Sequence, residues 1–176
     1  LYASRDGTLH DPVGQGLADA NARRVVFVGD PELRIREDYL RVLRFFRFLA
    51  WYGRGGADPA GLAACAALKD PVAGLAAERI SKELLKLLAA PDPHPAVRLM
   101  AAAGVLAVVL PEAGDLAIFN AMVDIDSDPE LRLAALLPAN WTTVDNAGSR
   151  LRLSNAQIDR LRQATFRNLS TATPYE

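Results

Sequence analysis

Arg36-Glu37-Asp38-Tyr39-Leu40-Arg41-Val42-Leu43-Arg44-Phe45-Phe46-Arg47-Phe48-Leu49-Ala50-Trp51-Tyr52 is the stretch whose reading decides the fold. Wound at 100° per residue, Tyr39, Val42, Leu43, Phe46, Leu49 and Ala50 cover one arc of about 120°. The spacing predicts one amphipathic helix over 36–52, ended by Gly53, Gly55 and Gly56. Downstream the helical pattern continues. Helices are expected over Pro59–Leu68 and Leu75–Leu88, parted by Asp70-Pro71, and Pro91, Pro93 and Pro95 then mark a break. Further helices are expected over Ala96–Ala103, with Gly104 as C-cap, and over Pro129–Leu137. The last, Asn155–Arg167, has a clear start: Ser154 and Gln157 form a capping box, and Leu153 with Ile158 a hydrophobic staple.

Upstream, residues 1–33 differ. Turn formers (Asp6-Gly7, Asp11-Pro12, Gly14, Gly16, Gly29-Asp30-Pro31) surround short apolar runs. Arg24-Val25-Val26-Phe27-Val28 reads as a strand and Leu9-His10-Asp11 as a shorter one. Two short strands do not make a stable domain alone. The expected fold class is therefore mainly α: a small α/β remnant, then six or seven helices.

The 176 residues suffice for one medium domain or two small ones, and an apolar share of 51% supports a real core. The net charge of −1 gives no nucleic-acid signal by itself. With Cys65 alone no internal disulfide can form, and a cytoplasmic home is the default. No apolar run approaches the roughly 18 residues of a membrane span, and no signal peptide is visible. The chain opens on Leu1 rather than methionine, so a longer parent is expected. Charge placement says more than the sum. Arg34, Arg36, Arg41, Arg44, Arg47 and Arg54 face only Glu37 and Asp38; seven acids and one arginine occupy 110–149; five arginines and one acid occupy 150–167. Arginine-rich ends around an acidic middle read either as solvated helix faces or as two anion-binding surfaces.

Asp38 and Arg41, three apart on the expected helix, would share a face. As a plain ion pair they contribute a few tenths of a kcal/mol. Their chemistry also allows more: a carboxylate only accepts hydrogen bonds and a guanidinium only donates them. Side by side in a dry cleft they match an amino donor next to a ring-nitrogen acceptor, as in cytosine and adenine. Uracil and guanine present the reverse order and would leave buried groups unpaired, a heavy penalty.

The run Asp11-Pro12-Val13-Gly14, then Asp19, Arg24 to Pro31, and Arg36 to Phe48 closely resembles class II CCA-adding tRNA nucleotidyltransferases and bacterial poly(A) polymerases. Ala77-Glu78-Arg79-Ile80-Ser81-Lys82-Glu83-Leu84 resembles that family's next helix, and Gly104-Val105-Leu106 through Leu110-Pro111 also fits. The resemblance is dense over 1–111 and thinner over 131–138 and 150–161. It implies roles. Asp38 and Arg41 form the amino-acid template for the incoming base, Glu37 orients them, and Arg44 supports the nucleotide. Asp11, Gly14 and Asp19 form a hinge between catalytic head and neck. Glu78 and Arg79 are structural. The chain departs from the family pattern at Gly14-Gln15, Val26 and Ala76.

The resemblance also implies Mg²⁺ bound by carboxylates of a head that precedes this chain. No catalytic or metal-binding residue is expected here, and the isolated fragment is expected to be inactive. Asp124, Asp126 and Asp128 read as a solvated loop, since they lack the glycine and glutamate of a calcium loop. His10 and His94 stand apart without a cysteine pair. Expected divisions are 1–33 for the end of the head, 34–90 for a helical neck that selects the base, and 91–176 for a tRNA-binding body. Expected partners are tRNA, ATP and CTP, with no membrane. RNA-contact candidates are Arg47, Arg54, Arg150, Arg152 and Arg160. Poly(A) addition is the close alternative, though the basic C-terminal extension common in those relatives is not seen before Glu176. A helical RNA- or nucleotide-binding module without catalysis is the alternative of another class.

Overall fold

The computed structural model describes residues 1–54 and 56–170, with side chains through Phe166. Residues 171–176 of the expected body lie outside the described residues. The fold is mainly α, preceded by a short hairpin. Strands β1 (Tyr2–Ala3) and β2 (Leu9–His10) pair antiparallel, with Tyr2 opposite His10. Between them the Ser4 amide bonds Thr8 O at 2.8 Å, and Gly7 takes the positive φ that the turn requires.

Helices follow in order: α1 (Gly16–Asn21), α2 (Pro31–Glu37), α3 (Leu40–Tyr52), α4 (Pro59–Ala67), α5 (Ala77–Leu88), α6 (His94–Ala102), α7 (Val105–Val109), α8 (Ala117–Ile125), α9 (Pro129–Ala135), α10 (Trp141–Arg150) and α11 (Asn155–Ser170). A 3₁₀ turn, Asp70–Gly74, joins α4 to α5. Several starts share one device. Asp30, Asp58 and Asp128 each accept an amide of the first turn and are followed by proline at the first helical position. The Ser154–Gln157 box forms as expected: Gln157 Oε1 accepts the Ser154 amide at 3.0 Å, and Ser154 Oγ the Gln157 amide at 3.3 Å. Gly104, at φ 74°, follows α6 in the left-handed conformation.

Two expectations fail here. Arg24–Val28 pairs with no strand among the described residues. Its alternation is real: Val25 and Phe27 pack on the core while Val26 and Val28 are exposed. The Phe27 ring stacks on Phe45 at 5.4 Å, so helix side chains, not a ladder, hold the segment. A Cβ on Gly61 would meet both rings at 3.0 and 3.2 Å, so α4 approaches closely only because that residue is glycine.

The second failure matters more. The expected single helix over 36–52 is broken at Asp38, whose backbone is extended (φ −158°, ψ 104°). Asp38 ends α2 and starts α3. Its carboxylate accepts the Leu40 amide at 3.2 Å and its carbonyl the Arg41 amide at 3.0 Å, as an N-cap does. Aspartate competes with the helix for backbone donors, and here it wins.

One hydrophobic cluster runs from Ile35 through Phe46, Leu84, Met100, Leu110, Phe119 and Leu133 to Leu161. Arg132 lies within it at 2% exposure. Its guanidinium donates to the carbonyls of Leu88 (2.7 Å), Ala90 (2.7 Å), Asp126 (2.6 Å) and Val123 (3.2 Å). It thereby ties the C-terminal ends of α5 and α8 to α9, where helix dipoles favour a cation. At α10–α11 the approach is close: a Cβ on Gly148 would lie 2.6 Å from Ile158 Cγ1.

Candidate nucleobase and RNA site

The break at Asp38 turns the base-reading candidates away from simple helix geometry. Asp38 and Arg41 do not pair with each other. The Asp38 carboxylate receives Arg79 Nη2 from α5 at 3.1 and 3.2 Å, bridging 41 residues of sequence. Arg41 Nη1 donates to Glu37 Oε2 at 2.6 Å and to the Arg34 carbonyl at 2.7 Å. Arg34 Nη1 also reaches Glu37 Oε2, at 2.5 Å. The Arg41 side-chain hydrogen bond, helped by Arg34, holds the Glu37 carboxyl below its usual range.

Arg34, Arg41 and Arg44 line one cavity of about 230 Å³ together with the 25–28 segment, Phe45 and Phe48. Its walls are apolar and its polar groups are all guanidinium donors. Arg44 and Arg47 converge on Glu83 of α5, at 3.6 and 2.6 Å. Glu83 is buried and Arg47 mostly so, which leaves Arg44 the more exposed of the two. Arg79 and Glu83 are the residues that sequence reading undervalued. The signal was present: they lie four apart on α5, one turn of a helix.

The proposed hinge residues lie before α3. Asp11 accepts the amides of Val13, Gly14 and Leu17, at 3.3, 3.1 and 3.1 Å. The Leu17 amide, first among these backbone donors, lowers the Asp11 pKa. Gly14 has φ 74°. Asp19 binds Arg24 at 2.7 Å. Both ends of this region thus rest on acid-to-backbone or acid-to-arginine contacts.

The RNA candidates divide. Arg150 holds Glu112 at 2.9 Å, and Arg160 holds Asp128 at 2.6 Å and Glu130 at 2.9 Å. Burial opposes ionisation of Asp128, but Arg160 and the amides of Leu131 and Glu130 together outweigh it and the pKa falls. Arg162, not among the candidates, bridges Asp145 and Asp159. Four of the seven acids of the 110–149 segment are thus paired with arginines that follow it. Arg152 is 70% exposed and reaches Glu78 only at 3.4 Å. Arg54 forms no ion pair among the described residues, and its amide bonds the Arg23 carbonyl at 3.0 Å.

Among the described residues no group of His, Cys, Asp and Glu is placed to hold a metal ion. Asp126 accepts the Asp128 amide and Asp128 caps α9. No helix described is long and apolar enough to cross a membrane.

Residues 58–116, from the α4 start through α7, match the family described as probable RNA and SrmB-binding site of polymerase A. The mitochondrial CCA tRNA nucleotidyltransferase 1 of Danio rerio is 34% identical over 166 residues, 89% of this chain and 38% of that protein. The CCA-adding enzyme of Bordetella bronchiseptica is 34% identical over 161 residues, 89% of this chain and 43% of that enzyme. The chain belongs to the CCA-adding and poly(A) polymerase family. The human mitochondrial CCA tRNA nucleotidyltransferase 1 is 44% identical over 93 residues, half of this chain. This family member spans about two fifths of the length of the first two relatives. The matched 58–116 region contains Arg79 and Glu83, the two residues that reach from α5 toward the Asp38 break and α3.

Proposed function

We propose that this chain is the base-selecting and RNA-binding part of an enzyme that adds CMP and AMP from CTP and ATP to the 3′ end of tRNA. The observation that carries the reading is the cluster at the α2–α3 break: Glu37 bonds Arg34 and Arg41, which with Arg44 line an apolar-walled cavity, and Asp38 beside them bonds Arg79. Asp38 supplies an acceptor and Arg41 a donor for the cytosine or adenine edge. To read a base, Asp38 exchanges Arg79 for the exocyclic amine, and Arg41 shares its guanidinium between Glu37 and the ring nitrogen. Arg34 and Arg44 are near enough to the same cavity to take phosphate oxygens. Asp11, Gly14 and Asp19 hinge this unit to an upstream catalytic part, with 34–90 as neck and 91–176 as body. The described residues offer no ligand set for the Mg²⁺ that the family implies; that ion is held by the upstream part, and the fragment alone is inactive. The compartment is the cytoplasm.

The test uses the intact protein with Mg²⁺ and tRNA trimmed of its 3′ terminus, offered each nucleoside triphosphate singly and then CTP with ATP. Two C additions followed by one A, then a stop, are expected. Long A-only tails would assign poly(A) addition instead, and no incorporation would leave a binding module. Asp38→Ala should relax discrimination of CTP and ATP against UTP and GTP by about tenfold or more. Unchanged selectivity would sink the template role.

A further inference from the structure

The C-terminal end of α3 carries a surface that base selection does not use. Phe48, Trp51 and Tyr52 are 40%, 42% and 57% exposed, although all three sit on a helix whose other large apolar residues are buried. They form a connected set, with Phe48 and Tyr52 centroids 5.8 Å apart and Trp51 and Tyr52 6.5 Å apart. The indole is not loose: Trp51 Nε1 donates to the Lys86 carbonyl at 2.7 Å, fixing the ring with a face to solvent. Three cavities of about 440, 250 and 480 Å³ meet at Trp51 and Tyr52. The first and last fall within the roughly 300–1,000 Å³ range of small-ligand pockets.

Charge decides what such a surface takes. Arg23, Arg24, Arg47, Arg54 and Lys86 line these cavities, against Asp92 as the acid. Arg23 and Arg54 form no ion pair among the described residues, and the Arg54 amide on the Arg23 carbonyl holds them together. Arg23 has φ 53°. It ends α1 in a Schellman turn: its amide bonds Ala20 O at 3.1 Å and the Arg24 amide bonds Asp19 O at 2.8 Å. Glycine is the unstrained residue there, so an arginine is kept against a local backbone cost. An aromatic platform rimmed by cations suits a flat base attached to a phosphate, not an apolar peptide.

We propose that Trp51 and Tyr52 stack an unpaired nucleotide of the RNA substrate, with Arg23 and Arg54 on its phosphates. This rests on the RNA-substrate reading above but concerns a second contact, at the far end of α3 from Asp38. In the intact protein, affinities would be measured for a short single-stranded oligoribonucleotide, for blunt duplex RNA and for ATP. Trp51→Ala and Tyr52→Ala should each weaken the single-stranded probe by about tenfold while duplex and ATP affinities stay within twofold. Trp51→Phe should recover most of the loss. Arg23→Gly should also weaken the probe several-fold, with a melting temperature unchanged or raised by roughly 2 °C, because the left-handed strain is relieved. That pairing separates lost contact from lost fold. Single-strand affinity unchanged in all four variants would overturn the proposal. So would loss of ATP affinity instead, which would make the platform a nucleotide site, or parallel loss of every affinity together with melting temperature, which would make it a packing face. Incorporation by the parent protein tests the tRNA-terminus reading separately, and its absence leaves these binding differences interpretable.

Discussion

Helices α2–α5, the proposed neck, and α8–α11, in the proposed body, use the same ion-pair chemistry in opposite proportion. In the neck one acid serves two arginines: Glu37 holds Arg34 and Arg41, and Glu83 holds Arg44 and Arg47. In the body one arginine serves two acids: Arg160 holds Asp128 and Glu130, and Arg162 holds Asp145 and Asp159. The neck therefore keeps a surplus of positive charge beside its cavities, and the body neutralises its own. A net charge of −1 over the chain conceals this division. The lesson concerns reading arginines as phosphate contacts. Arg150 and Arg160 looked equivalent to Arg54 and Arg152 in sequence, yet the first two are held closely by carboxylates, Arg152 reaches Glu78 only at 3.4 Å, and Arg54 forms no ion pair among the described residues.

Arg132 is the body's buried cation, held by carbonyls rather than acids. Arg132→Ala leaves four carbonyls without their donor and a void in the core. Urea unfolding should show a loss of at least about 3 kcal/mol. A loss below 1 kcal/mol would mean that the ends of α5 and α8 are held by other contacts.

Glu83→Gln should rank second, at about 2–3 kcal/mol, because it removes the buried carboxylate that two guanidiniums share. It should also free positive charge in the neck. RNA affinity at low salt should rise or hold while stability falls, measured by titration at two ionic strengths. Weaker RNA binding per folded molecule would contradict the surplus-charge account of the neck.

The smallest effect is the pH response of the body. The pKa of Asp128 is lowered in the folded state, so its contribution is complete above the unfolded value near 3.9 and is lost as pH falls through the folded value. Melting temperature should therefore fall as pH drops below about 4. Arg160→Gln should flatten part of that fall and cost little at neutral pH, since its side chain is half exposed. An unaltered acid profile in Arg160→Gln would show that the pair is not what depresses Asp128.

Much of this was legible along the chain. Helix identity from Pro59 to Leu88, the Ser154–Gln157 box and the Gly104 stop follow from periodicity and capping, which are local. Helices α2 and α7 were missed because seven and five residues show little period, and α8 and α10 because they bury few side chains, Phe119 in one and Val144 and Ala147 in the other. Arg24–Val28 shows the limit from the other side. Its alternation fixed which residues face inward, but a strand needs a partner, and only the fold reveals that Phe45 fills that place.

At the candidate site the division is sharper. Sequence alone determined that an Asp, a Glu and several Arg cluster before an amphipathic helix, and that this cluster resembles a base-reading motif. It also suggested a shared helical face for Asp38 and Arg41, which the break at Asp38 abolishes. Tertiary structure decided their partners: Arg79 from 41 residues away for Asp38, and Glu83 from 36 residues away for Arg47. The physical reason is range. Periodicity and caps are set by neighbours within a few residues, whereas the partner of a charge is set by which helices the core brings together.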